Sequence, residues 1–223
     1  LWDCPTVVNN VETLAAVVPI INEGGEEYAK IGVGKSTGTK LISACGNINK
    51  PGIFEIDMTI SVEEFIYSDE YCGGITNGKQ LKACIPGGSS VPILPANLLL
   101  TTAKGEKRLM NYESLSDGGF ATGSMMGSGG FIVLDEDQCV VRNTMTLARF
   151  YHHESCGQCS PCREGTGWME RILKKIESGK GEMKDIDLLW DIQRKIEGNT
   201  ICPLGDAAAW PVAGPGHAGA CGG

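Results

Sequence analysis

The sequence predicts an α+β chain, strand-rich through its middle and helical toward its end. Three observations carry this. Between residues 39 and 85, short apolar runs rich in Ile and Leu are punctuated by Gly, Pro and Asn clusters, the pattern of strands and turns. From Cys139 onward the apolar residues recur at helical spacing. Cys156, Cys159 and Cys162 then stand three residues apart between two of those helical segments, with Cys202 following after two more.

Taken in order, residues 5–21 read as the start of a capped helix. Asn9 or Asn10 accepts from the orphan amides of the first turn, and Val11, Leu14, Ala15 and Val18 fall on one face. Such a helix start also suits a phosphate, although an Asn pair before a helix is more often only a cap. Gly32 to Gly38 mark a domain boundary. Thr39–Ala44 and Ile53–Ile56 read as strands joined by a type II turn centred on Pro51 and Gly52. Ser61 with Glu64 gives a capping box for a helix over residues 61–71 that ends at Gly73-Gly74. Leu81–Ile85 is a returning strand that stops at Pro86-Gly87-Gly88. Hairpin, helix and returning strand suggest a small β-grasp-like domain.

Residues 118–130 are glycine-rich and precede a strand, Phe131–Leu134. Phosphate-cradling loops usually follow a strand and open a helix, so the reversed order favours a turn packed on other backbone. Beyond Cys139, Val140, Thr144, Leu147, Ala148 and Tyr151 line one helix face. Trp168, Met169, Ile172, Leu173 and Ile176 line a second helix that stops at Gly179, and Ile186, Leu189, Trp190 and Ile196 a third that stops at Gly198-Asn199. Three amphipathic helices therefore form a bundle, their apolar stripes its core. Trp168 belongs to that core, with shielding of a nearby site as its second reading.

The cysteines carry the chemistry. Three thiolates at two-residue gaps wrap a short loop round one face of an iron-sulfur cube, and Cys202 supplies the fourth ligand of a 4Fe-4S cluster. Structural zinc competes, but zinc modules usually present two separated CxxC pairs. A radical-generating cluster uses three cysteines at a different first spacing. Disulfides need an oxidising compartment that nothing in the sequence suggests. Cys45, Cys72, Cys84 and Cys139 lie in or beside apolar stretches and read as buried structural thiols. His152 and His153 suit a helix C-terminus better than a ligand role when four cysteines are present. Arg163 places a fixed positive charge beside a ligand, which favours a cluster's more negative reduced state and raises its potential.

Composition narrows the function classes. A length of 223 residues allows one large or two modest domains. A net charge of -8 with no basic stripe argues against nucleic acid. No apolar run has membrane-spanning length and no secretory signal is evident, so a cytoplasmic protein is expected. The chain opens at Leu1 on residues that read as the interior of a longer protein, so a fragment is expected.

Three stretches together resemble a known family: Thr6-Val-Val-Asn-Asn-Val-Glu-Thr13, Glu154-Ser-Cys-Gly-Gln-Cys-Ser-Pro-Cys-Arg-Glu-Gly165, and Ile201-Cys-Pro-Leu-Gly-Asp-Ala-Ala-Ala-Trp-Pro-Val212. They are similar to the NADH-binding flavoprotein subunits of respiratory complex I, the F subunits of bacterial NADH-quinone oxidoreductase. The likeness runs over about residues 1–212. It implies the end of an α/β flavin-binding domain over residues 1–36 and an SLBB β-grasp-like domain over 37–137. It also implies a 4Fe-4S helical bundle over 138–212, with a divergent Gly-rich tail at 213–223.

Carried over by the resemblance, Cys156, Cys159, Cys162 and Cys202 match the cluster ligands, and Asn9, Asn10 and Thr13 match the last piece of an FMN site. FMN and NAD belong to the full-length protein, whose main glycine-rich cofactor loops have no counterpart in this sequence, so the chain alone is expected to be inactive toward NADH. The implied partners are other peripheral-arm subunits, including a 2Fe-2S thioredoxin-like subunit and a larger iron-sulfur subunit, with quinone reached indirectly. Nucleic acid and direct membrane insertion are not implied; the implied place is the inner face of the cell membrane, peripherally, through the complex. The same domains build the diaphorase subunits of NAD-linked hydrogenases and formate dehydrogenases, and a non-catalytic zinc interaction module is the alternative of another class.

Overall fold

Asn10 caps the first helix, α1 (Val11–Glu23): its side chain accepts the Glu12 amide at 2.8 Å in the computed structural model, which describes residues 1–214. Glu12 ties that helix to the sheet, accepting the Leu41 amide at 2.7 Å and pairing with the Lys40 ammonium. The expected apolar face of α1 is not a core face here. Val11, Leu14 and Val18 are all exposed, and the half-buried residues Glu12, Ala16, Pro19 and Ile20 mark a different face of the helix. Gly32–Val33 and Ser36–Thr37 then pair as a two-residue ladder at the expected boundary.

One mixed sheet follows, built of β1 (Lys40–Gly46), β2 (Gly52–Ile56), β3 (Leu81–Ile85), β4 (Leu94–Pro95) and β5 (Gly130–Asp135). The strand order is β2-β1-β5-β3-β4, so the last strand enters the middle. It lies parallel to β1 and antiparallel to β3. The expected type II turn is absent. Gly52 lacks a positive φ and already begins β2, while the preceding loop is held by a bridge between Ile48 and Ile75.

Helix α2 (Val62–Tyr67) lies against this sheet, with Ser61 accepting the Glu64 amide at 3.0 Å. It is shorter than expected because the amides of Cys72, Gly73 and Gly74 turn back to the carbonyls of Phe65, Ser68 and Ile66 and end the spiral. Phe65 meets Phe131 edge-to-face at 5.2 Å between ring centroids, joining helix and central strand in a core that includes Ile42, Ile56 and Leu94. The glycine-rich segment packs as expected, since a side chain on Gly127 would lie 2.2 Å from the Gly87 carbonyl oxygen. Cys72 and Cys84 are buried as expected, but Cys45 and Cys139 are exposed. The alternation of β1 turns Cys45 away from the core, and Cys139 stands just before the first bundle helix.

Arg108 is an internal tie that the sequence pattern conceals. It is fully buried, and its guanidinium donates to the carbonyls of Leu98 at 2.9 Å, Leu115 at 3.2 Å, Thr101 at 3.3 Å, Thr122 at 3.0 Å and also Ser114. These bonds gather the irregular chain between β4 and β5.

The C-terminal part holds four helices where three were expected: α3 (Val140–Glu154), α4 (Ser160–Lys175), α5 (Met183–Ile196) and α6 (Leu204–Ala213). Helix α4 packs on α3 and α5, and α6 packs on all three. Tyr151, Met169, Ile192, Ile196, Ala208 and Ala209 form their core. Gly179, at a φ of 75°, ends the α4 spiral, and Glu182 with Asp185 forms the capping box that opens α5. Helix α6 escaped the pattern because its alanines and Pro211 give little amphipathic contrast. Ala213, assigned to the tail from the sequence, closes this helix, and the rest of the expected tail from residue 215, with Cys221, lies outside the described residues. Among the described residues no helix is long and apolar enough to cross a membrane.

Candidate functional site

Helix α3 ends at Glu154 and α4 begins at Ser160, so Cys156 and Cys159 occupy a tight link between two packed helices and Cys162 the first turn of the second. Gly157 takes a φ of 77°, which lets the chain double back between Cys156 and Cys159. Cys159 is the N-cap residue of α4, and Cys162 lies in its first turn, so both stand where unpaired helix amides favour negative charge. Cys156 is exposed, Cys159 half-buried and Cys162 buried.

The link is pinned from two sides. Ser155 Oγ and Cys162 Sγ lie 3.2 Å apart, and Arg163 Nη1 donates to the Gly157 carbonyl at 2.7 Å. Arg163 Nη2 also reaches Ser160 Oγ at 3.2 Å. Below the link, a side chain on Gly165 would lie 2.7 Å from Ile196, so its absence lets α4 approach α5 closely.

Cys202 arrives on the turn between α5 and α6. Burial pushes the Cys162 thiol up, the Ser155 hydroxyl opposes this, and the negative charges of Cys159, Cys202 and Cys156 add to the rise. Among the described residues no three Cys, His, Asp or Glu side chains gather for a single ion, which would draw thiolates to about 3.8 Å from one another on a zinc tetrahedron. Four cysteines, two of them at the opening of a helix whose free amides favour negative charge, are a donor set that fits a four-iron cluster. His152 and His153 turn to carboxylates instead, Nδ1 of each lying 2.7 Å from Glu170 and 3.1 Å from Glu154 respectively. Trp168 is not core: it is half-exposed and lines an apolar groove of about 640 Å³ with Pro161, Ile172 and Leu188.

At the other end of the chain, Asn10 and Thr13 line a groove of about 450 Å³, together with Glu12, Lys40, Tyr112 and Ser128. Asn9 is exposed and stands outside this lining. Lys40, Tyr112 and Ser128 come from three separate segments, so no local motif marks them.

Residues 142–215 match the family described as NADH-ubiquinone oxidoreductase-F iron-sulfur binding region. Over 215 residues, 96% of the chain, it is 45% identical to the F subunit of the NADH-quinone oxidoreductase of Rickettsia bellii (strain OSU 85-389) and 42% identical to that of Rhodobacter capsulatus. The chain is similar to these F subunits over nearly its whole length. It spans about half the length of these relatives, 49% and 47%. A subunit of an NAD+-reducing [NiFe]-hydrogenase in the H2-reduced state shares its fold at a TM-score of 0.77 and 29% identity, over 93% of this chain and 33% of that one. The stretch that matches the iron-sulfur binding region holds all four candidate cysteines, so likeness and candidate site fall on the same segment.

Proposed function

We propose that this chain is the electron-accepting part of an F-subunit protein that oxidises NADH. Cys156, Cys159, Cys162 and Cys202 hold a 4Fe-4S cluster, and Asn9, Asn10 and Thr13 contribute the last piece of an FMN site. The observation that supports the reading is the placement of Cys159 and Cys162 at the opening of α4, within the segment 142–215 that also holds Cys156 and Cys202 and matches the iron-sulfur binding region. When bound, the cluster supplies one-electron acceptance with little change in ligand geometry.

The chain's own residues supply the rest. The first turn of α4 and Arg163 offset the negative charge gathered at the thiolates. Asn10, committed to capping α1, sets the direction of the helix start, and Thr13 faces the groove one turn on. We read the sheet as the SLBB β-grasp-like domain over residues 37–137, after the end of a flavin domain at 1–36 and before the cluster bundle at 138–212. Electrons then pass to other peripheral-arm subunits, a 2Fe-2S thioredoxin-like one and a larger iron-sulfur one among them, and reach quinone indirectly. The assembly sits peripherally on the cytoplasmic face of the membrane.

The hydrogenase likeness favours a second reading, a diaphorase subunit that exchanges electrons with a hydrogenase in place of quinone. The site chemistry is the same in both. Anaerobic assembly with ferrous iron and sulfide is expected to give about four irons per chain. Stoichiometric tight zinc, with no EPR signal on reduction, would return the zinc interaction module. The chain alone is expected not to oxidise NADH even with added FMN.

A further inference from the structure

The turn that carries Cys202 is closed by two carboxylates that reach across it in opposite directions. Glu197, the C-cap of α5, accepts from Trp210 Nε1 of α6 at 2.9 Å. Asp206 of α6 accepts from the Gly198 amide at the end of α5 at 2.7 Å. Each helix thus grips the other's end, and residues 199–203 span the gap between the two grips.

The Glu197 carboxylate is held on its other side by Gln193 Nε2 at 2.7 Å. Gln193 is fully buried one turn earlier on α5, so the carboxylate is fixed to the packed part of that helix. Within the turn, Asn199 Nδ2 donates to the Glu197 carbonyl at 2.9 Å, and Thr200 Oγ1 donates to the Cys202 carbonyl at 2.9 Å. A side chain on Gly205 would lie 2.3 Å from Thr200 Cγ2, so the turn is also pressed against the start of α6. Cys202 is exposed, and core packing therefore does little to fix it.

We infer that Glu197 is a positioning residue for Cys202, its carboxylate bridging Gln193 and Trp210 so that the turn presents this thiol to the Cys156–Cys162 link. The inference rests on the reading of Cys202 as the fourth ligand. Charged hydrogen bonds at a partly buried carboxylate are among the stronger ones, and removing this one takes away the acceptor that Gln193 and Trp210 share. The three clustered cysteines keep their link when the bridge is lost; the iron held by Cys202 does not keep its ligand.

The test compares iron loss to a chelator from the reconstituted chain and from its Glu197→Ala, Glu197→Gln, Trp210→Phe and Cys202→Ser variants. Glu197→Ala and Trp210→Phe are expected to release the first iron about tenfold faster than the parent and to show a three-iron EPR signal after mild oxidation. Glu197→Gln, which keeps an acceptor oxygen, is expected to restore most of the parent behaviour. Thermal unfolding of the Trp210→Phe apo chain is expected to stay close to the parent, which separates positioning from general loosening and serves if Glu197→Ala fails to fold. Release within twofold of the parent in Trp210→Phe and in any folded Glu197 variant, alongside fast loss in Cys202→Ser, overturns the positioning role alone. A Cys202→Ser chain that keeps all its iron overturns the ligand assignment beneath it.

Discussion

The Arg163 guanidinium donates to the Gly157 carbonyl at 2.7 Å, joining the first turn of α4 to the middle of the cysteine link. One side chain, next in sequence to Cys162, therefore braces the loop while its Nε pairs with Glu164 at 3.1 Å. Arg163→Gln is expected to lower the midpoint potential of the bound cluster by some tens of millivolts, where about 59 mV is one factor of ten for a single electron. A redox titration followed by EPR measures it. An unchanged or raised potential would mean that solvent already screens this half-exposed charge.

The cysteines divide by depth. Burial pushes the Cys72 thiol up to about 12 and the Cys84 thiol well above its ordinary value, whereas Cys45 and Cys139 are exposed. Thiolate is the reactive form. With iodoacetamide at neutral to mildly alkaline pH, Cys45 and Cys139 are expected to label in the folded chain, and Cys72 and Cys84 only after unfolding. Peptide mass spectrometry resolves the four sites, and early labelling of Cys84 would contradict its placement in the core.

Attachment of α1 is expected to depend on acid pH through Glu12. Burial raises its pKa, but the Lys40 ammonium and the Leu41 amide more than offset this, leaving it below the ordinary value of 4.5. A carboxylate depressed in the folded state stabilises above its unfolded pKa, and that contribution is lost as pH falls through the lower folded value. The Leu41 amide resonance is expected to be steady at neutral pH and to titrate below pH 4.5. Glu12→Gln should abolish the titration.

Arg108→Met is expected to cost about 3 kcal/mol or more of stability, because several buried carbonyls lose their donors together. Urea unfolding measures the loss. Arg108→Lys should recover only a minor part, since an ammonium cannot reproduce the planar fork that reaches segments near Leu98 and near Thr122 at once.

Much of the candidate metal centre was legible because its chemistry is local. The Cys156-Cys159-Cys162 spacing lies within one short stretch and was read directly, whereas the reversal at Gly157 and the opening of α4 at Ser160-Pro161, which takes in Cys162, came only from the structure. Ser61 as a cap and Gly179 as a helix stop were legible for the same reason. The turn expected at Pro51-Gly52 failed because the loop makes a non-local bridge from Ile48 to Ile75, and a distant pairing outweighed a weak local preference.

By itself the sequence determined that the segments after Val140, Trp168 and Ile186 are helical, which strands form the hairpin and that three cysteines cluster before the second of those helices, since these depend on spacing over a few residues. Only the tertiary structure decided that Arg108 is internal, that Trp168 is half-exposed, and that β5 threads between β1 and β3. It also decided that the turn carrying Cys202 is closed by Glu197 on Trp210 and by Asp206 on Gly198, between helices packed on one another. Contacts between residues far apart in the chain are selected by the whole packed core, and no spacing within a single segment encodes them.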